Sequence, residues 1–144
     1  WAGGRGEVLT DEPRLPPLPV VLVNPGAPSP TGAVYRAYDA GPVRAADRPR
    51  EPADWSVGGV VAWLAATRND LQPPAVALTP AIAEALALVE AAPGAALTRM
   101  SGSGATIFAL CHDTASAERA ATAIRAARPL WWVRSGLLGD QAQP

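Results

Sequence analysis

Apolar and polar positions follow a different rhythm in each part of the chain, and each rhythm predicts an element. Val20, Val21, Leu22 and Val23 are consecutive and aliphatic, closed by Asn24, Pro25 and Gly26. An unbroken run of that kind predicts a strand buried on both faces. Upstream of it, Arg5 to Leu9 predicts a short strand, and Pro13 to Pro19 reads as connector because proline has no N–H to give to a ladder. After the proline-rich stretch Pro25 to Pro30, Thr31 is the expected N-cap of a short helix that carries Val34, Tyr35 and Tyr38 and ends near Asp39. Residues 40–53 show no periodicity and read as a solvated connection.

Helical spacing returns at Val57, Val60, Val61 and Leu64, with Asp54 or Ser56 as the expected cap and an end near Ala66. Asn69, Asp70 and Leu71 then lead to Pro73 and Pro74. Thr79 followed by Pro80 predicts a helix start, with Ile82, Leu86 and Val89 turned inward and a stop at Pro93 and Gly94. Ala96 to Ser101 and Thr106 to Leu110 predict a hairpin around Gly102, Ser103 and Gly104. Thr114 or Ser116 is the expected cap of a helix whose Ala117, Ala120, Ala121 and Ile124 form a narrow small-residue face ending near Pro129, and Leu130 to Val133 supplies a last strand. Strand, helices, strand, strand, helix, strand is the order of an α+β, ferredoxin-like split β-α-β fold. It predicts an antiparallel sheet of about four strands with helices on one face.

Composition narrows the class. At 144 residues one domain is expected, and 49% hydrophobic against 17% charged residues predicts a packed core. Twelve Lys+Arg against 13 Asp+Glu give a net charge of -1 with the basic residues scattered, so no nucleic-acid partner and no anionic membrane surface is expected. No apolar run reaches the roughly 18 residues of a membrane span. All the cations are arginine, so no lysine here can cradle a phosphate or form a Schiff base. A single cysteine, Cys111, excludes an internal disulfide and fits a reducing, cytoplasmic setting. A first residue Trp1, in place of Met, reads as the start of a fragment.

Two stretches could carry chemistry. In the first, Ser101 to Thr106, glycines flank Ser103, so the backbone can reach positive φ and present successive N–H groups to an anion. A hairpin that simply needs glycine to turn is the alternative. The other is Pro25 to Thr31, where Thr31 offers a hydroxyl and Tyr35, one helical turn on, an aromatic face. Thr31 as a mere cap and Tyr35 as an amphipathic edge residue is the alternative there. Asn69 and Asp70 are read as caps between helices, His112 as a surface loop residue, and Cys111 as a small buried apolar group. Trp131 and Trp132 should point to opposite sides, one into the core and one outward.

Four strings in register, GRGE at Gly4 to Glu7, VNPGAPSPTGAVY at Val23 to Tyr35, NDLQPPA at Asn69 to Ala75 and RMSGSGATIFAL at Arg99 to Leu110, resemble the C-terminal half of a GHMP-superfamily small-molecule kinase. The resemblance implies transfer of the ATP γ-phosphoryl group, with Mg²⁺ accompanying the nucleotide, to a hydroxyl of a cytidine-diphosphate-linked erythritol substrate. By position it assigns Thr31 and Tyr35 to the cytidine end of that substrate and Gly102, Ser103 and Gly104 to the nucleotide phosphates. Gly32 stands where some relatives have proline, which implies a looser loop.

The resemblance also implies that residues 1–144 are the C-terminal domain, with 1–19 the connector from an N-terminal domain. That domain would hold the phosphate loop and the catalytic Lys and Asp. The chain alone is then expected to be inactive, to expose an apolar face toward its own N-terminal domain, and to form a homodimer if that face self-associates. The competing reading is a free-standing ferredoxin-like module that binds a small ligand or dimerises without catalysis.

Overall fold

The structure, a computed structural model, describes residues 2–3, 8–9, 12, 14–42 and 49–139. Residues 5–7 of the first expected strand, the GRGE string, Pro13 and residues 43–48 of the arginine-containing 40–53 connection lie outside the described residues. The elements are β1 (Ala2–Gly3), β2 (Val8–Leu9), β3 (Leu18–Asn24), α1 (Thr31–Asp39), α2 (Val57–Ala65), α3 (Gln72–Leu78), α4 (Pro80–Glu90), β4 (Leu97–Met100), β5 (Ile107–Leu110), α5 (Thr114–Ala127) and β6 (Trp132–Leu138). β1 and β2 form a small antiparallel pair, and the main sheet has four strands in the order β4-β5-β3-β6, every neighbour antiparallel. Two long connections and one hairpin in this order make the split β-α-β arrangement that the element order predicts.

β3 runs through the middle of the sheet and alternates its side chains between two apolar clusters. Val21 and Val23, with Ile107, Ala109 and Val133, pack against Ile82, Ala85 and Val89 of α4 and Ala117, Ala120, Ala121 and Ile124 of α5. Leu18, Val20 and Leu22, with Leu97, Phe108 and Leu110, pack against Val57, Val60, Val61 and Leu64 of α2 and the rings of Trp55 and Trp63. Helices on one face therefore describes α4 and α5 but not α2, which covers the opposite face. The both-face burial read from the Val20–Val23 run is what β3 shows, each of those side chains contributing about 1.5–3 kcal/mol when fully removed from water.

Several element boundaries differ from expectation for local reasons. Leu18 and Pro19, expected in the connector, are buried strand residues. The Pro19 carbonyl accepts from Cys111 N–H at 2.9 Å, so the backbone polar groups of Pro19 face β5 just past its last paired residue, Leu110, where a missing N–H removes little of the ladder. Pro73 and Pro74 stand in the first turn of α3, where the absent N–H groups would have had no helical partner. Asp113, not Thr114 or Ser116, caps α5 by accepting from Ser116 N–H at 2.6 Å. The hydroxyl of Ser116 instead accepts from Arg119 at 2.7 Å. Ser56 is the cap of α2, accepting from Gly59 N–H at 3.1 Å, and Asp54 in turn receives the Ser56 N–H at 2.8 Å.

Candidate functional site

The loop that leaves β3 is held at both ends by side chains. Asn24 accepts from Gly26 N–H at 2.8 Å and donates to the hydroxyl of Thr106 at the start of β5, 3.0 Å away. Thr79 donates to the carbonyl of Pro28 at 3.1 Å, so its hydroxyl fixes the proline loop and makes no cap bond to α4. Ser29 donates to the carbonyl of Ser103 at 2.6 Å.

At the start of α1 the N-cap position is Pro30, and Thr31 is the first helical residue. This corrects the expected capping role. The Thr31 hydroxyl shares a hydrogen bond of 2.9 Å with the hydroxyl of Ser103. Gly32 belongs to the first turn of α1. Tyr35 follows one turn after Thr31 with half of its surface exposed, while Val34 beside it anchors the helix with none. An aromatic ring held on a fixed helix yet half open can stack on a planar group.

Across from α1, the hairpin turn is closed by Ser101 N–H to the Thr106 carbonyl at 2.8 Å and Gly104 N–H to the Ser101 carbonyl at 3.0 Å. Gly102 has φ +54° and Gly104 φ +88°, the positive values expected of both. A Cβ on Gly104 would lie 2.9 Å from Met100 Sδ, 3.0 Å from Ile82 Cδ1 and 3.2 Å from Ser29 Oγ, whereas one on Gly102 would meet nothing. Gly104 is thus where the turn packs on the core, and Gly102 is where it is open. Among the described residues the N–H groups of Gly102 and Ser103 have no hydrogen-bond acceptor. A turn with positive φ and two free amides suits an anion.

Asn69, read from sequence as a cap, does accept from Leu71 N–H at 3.0 Å. It also donates to the carbonyls of Met100 at 2.9 Å and Gly102 at 2.8 Å, which sequence reasoning missed. Gln72 adds a bond from Met100 N–H at 3.0 Å. Asp70 only pairs with Arg68, at 2.5 Å on the surface. Arg99, two residues before the turn, donates to Thr67 Oγ1 at 2.7 Å and to the carbonyls of Leu64 and Thr67 at 3.0 and 2.8 Å, tying the end of α2 to β4. Burial lowers its pKa from the ordinary guanidinium value.

The remaining candidates fall where expected. His112 is exposed, and Cys111 is fully buried, its thiol pushed up in pKa by burial and then by Asp113. Trp131 packs against the core cluster while Trp132 is exposed. Among the described residues no three His, Cys, Asp or Glu side chains gather as a metal site, and no helix is long and apolar enough to cross a membrane.

Two half-sites 72 residues apart in sequence, the start of α1 and the glycine turn, therefore meet through Thr31 and Ser103 on the edge of a ferredoxin-like sheet. Residues 59–129 match the family model described as GHMP kinases C terminal, and the chain belongs to the C-terminal domains of the GHMP kinases. Within that class it is similar to the 4-diphosphocytidyl-2-C-methyl-D-erythritol kinases. It is 57% identical over 136 residues to the one from Caulobacter vibrioides (strain NA1000 / CB15N), covering 92% of this chain and 47% of the relative. To the one from Hyphomonas neptunium (strain ATCC 15444) it is 46% identical over 140 residues, covering 94% of this chain and 47% of the relative. The crystal structure of a 4-(cytidine 5'-diphospho)-2C-methyl-D-erythritol kinase superposes with a TM-score of 0.64 at 32% identity, over 94% of this chain and 48% of that one. The chain thus spans about half the length of the relatives it matches.

Proposed function

We propose that this chain is the C-terminal domain of an ATP-dependent kinase acting on 4-diphosphocytidyl-2-C-methyl-D-erythritol in non-mevalonate isoprenoid biosynthesis. A substrate hydroxyl oxygen attacks the γ-phosphorus, the bond to the β–γ bridging oxygen breaks, and ADP leaves. Such a transfer depends on positioning and on stabilising charge. Tyr35 stacks on the cytosine and Thr31 orients the same end of the substrate. Gly102, Ser103 and Gly104 line the nucleotide phosphates, the first two through the free amides of the turn.

The phosphate loop and the Lys and Asp that act on the hydroxyl belong to an N-terminal domain preceding residues 1–19, and the enzyme works in the cytoplasm. Mg²⁺ would enter with the nucleotide, because the described residues of this chain do not form a carboxylate set that fits it. The isolated chain would be inactive, and the exposed Trp132 and Leu138 of β6 are the side chains through which it would self-associate as a homodimer.

The observation that carries this reading is the Thr31–Ser103 hydrogen bond, which joins an acceptor-side helix to a phosphate-side turn. The test is ADP release by the full-length protein with ATP and the cytidyl substrate, compared with ATP alone. Substrate-dependent release supports the reading. Release that is absent or indifferent to the cytidyl substrate overturns it and favours a non-catalytic module.

A further inference from the structure

The geometry points to Asn69 as the positioning residue that aims the glycine-rich turn, an inference that rests on the kinase reading above. Its side-chain amide donates to two carbonyls, Met100 at 2.9 Å and Gly102 at 2.8 Å, that bracket Ser101 and lie 31 and 33 residues further along the chain. The Gly102–Ser103 peptide is trans, the cis bond of the turn being Gly104–Ala105. In a planar trans peptide the C=O and the following N–H point in opposite directions. Holding the Gly102 carbonyl against Asn69 therefore turns the Ser103 N–H away from Asn69. The other free amide, that of Gly102, is held in the same way, because the carbonyl of its own peptide, Ser101 C=O, accepts from Gly104 N–H at 3.0 Å.

Asn69 is itself fixed. Its oxygen is occupied by Leu71 N–H at 3.0 Å, so both donor hydrogens are left for the turn, and the neighbouring Gln72 accepts from Met100 N–H at 3.0 Å. Asparagine suits this post because it is short and offers one acceptor and two donors at once. Aspartate matches its size and still accepts from Leu71 but cannot donate, and its charge would face two carbonyl oxygens.

Asn69→Asp in the full-length protein separates the two roles. The expected result is a KM for ATP raised about tenfold or more, with the KM for the cytidyl substrate within about twofold of wild type, since the lost contact orients only the phosphate-side amide. Unchanged ATP kinetics, or an equal loss for both substrates together with a lowered melting temperature, overturns the assignment. If Asn69→Asp does not fold, Asn69→Ser, which lacks the two-pronged amide, is read the same way. If the wild-type protein shows no phosphoryl transfer, the kinase reading falls and the Ser103 amide resonance decides the positioning role. Movement on adding inorganic triphosphate in wild type but not in the variant sustains it, and equal movement in both, or none in wild type, removes it.

Discussion

Replacing Gly104 by alanine tests whether the turn is fixed by its packing or only by its hydrogen bonds. At φ +88° an L side chain pays a conformational penalty of about 1–2 kcal/mol. The new Cβ would also stand 2.9 Å from Met100 Sδ and 3.0 Å from Ile82 Cδ1. Met100 is 1% exposed and Ile82 not at all, so neither can swing into solvent, and overpacking of this kind adds about 1–3 kcal/mol. The sum is about 2–5 kcal/mol.

Gly102→Ala is the control. Its φ is +54°, its Cβ would touch nothing, and the conformational penalty is partly offset by about 0.4–1 kcal/mol from a stiffer unfolded chain. The positive-φ penalty and the unfolded-chain offset are common to both variants, so equilibrium urea unfolding followed by tryptophan fluorescence should place the Gly104→Ala midpoint about 0.5–1.5 M below that of Gly102→Ala, the overpacking of about 1–3 kcal/mol divided by an m-value of about 2 kcal/mol/M. Equal midpoints for the two variants would refute the packing role assigned to Gly104.

Other expectations are independent of that one. Tyr35→Ala in the full-length protein should raise the KM for the cytidyl substrate about tenfold, as expected for a lost stack of about 1–3 kcal/mol, with the melting temperature little changed, as steady-state kinetics and a thermal scan will show. Arg99→Met removes the guanidinium from the three oxygens it binds at the end of α2, and hydrogen bonds to a charged group contribute about 1.5–3 kcal/mol, so urea unfolding should register a loss of that size. The Asp113 carboxyl is held below its ordinary value of 3.8, first by the Ser116 N–H bond. A depressed folded pKa means the cap stabilises above the unfolded value and is lost as pH falls through the folded one. Stability measured between about pH 5 and pH 2 should therefore fall less steeply in Asp113→Asn than in wild type.

Much of the fold could be read from the chain because it is written in local pattern. The Val20–Val23 run announced burial on two faces, and the apolar spacing of Val57, Val60, Val61 and Leu64 announced a helix. That these two belong together across the second face of the sheet is a long-range fact that neither pattern contains, so the expectation of helices on one face missed α2. Hydroxyl roles were misread for a related reason. Thr79 stands at a cap position and Thr31 one residue inside one, yet their hydroxyls bond to Pro28 and Ser103, and a local rule cannot weigh a partner 51 or 72 residues away.

Asn69 hid its second role behind a genuine capping bond to Leu71. β6 runs on to Leu138, past the Val133 at which the apolar run ends, because a border strand tolerates Arg134, Ser135 and Gly136. Of the candidate site, the turn and its positive-φ glycines were legible from Gly102-Ser103-Gly104 alone, and so was the placement of Tyr35 one turn beyond Thr31. The bracing by Asn69, Gln72 and Ser29 was not, since Asn69 and Gln72 come from the entry to α3 and Ser29 from the loop before α1.

The sheet ends very differently on its two sides. β4 is four residues long, whereas β6 is seven, and among the described residues nothing pairs with the outer side of β6. A further strand added there would lie beside Trp132, Arg134 and Leu138. An apolar border broken by one guanidinium is a common safeguard against runaway fibril-like stacking, because zippering along it would strip water from the charge. Changing Arg134 to an aliphatic residue would make that border sticky, and would also remove its bond to the Val133 carbonyl and its place over the Trp132 ring.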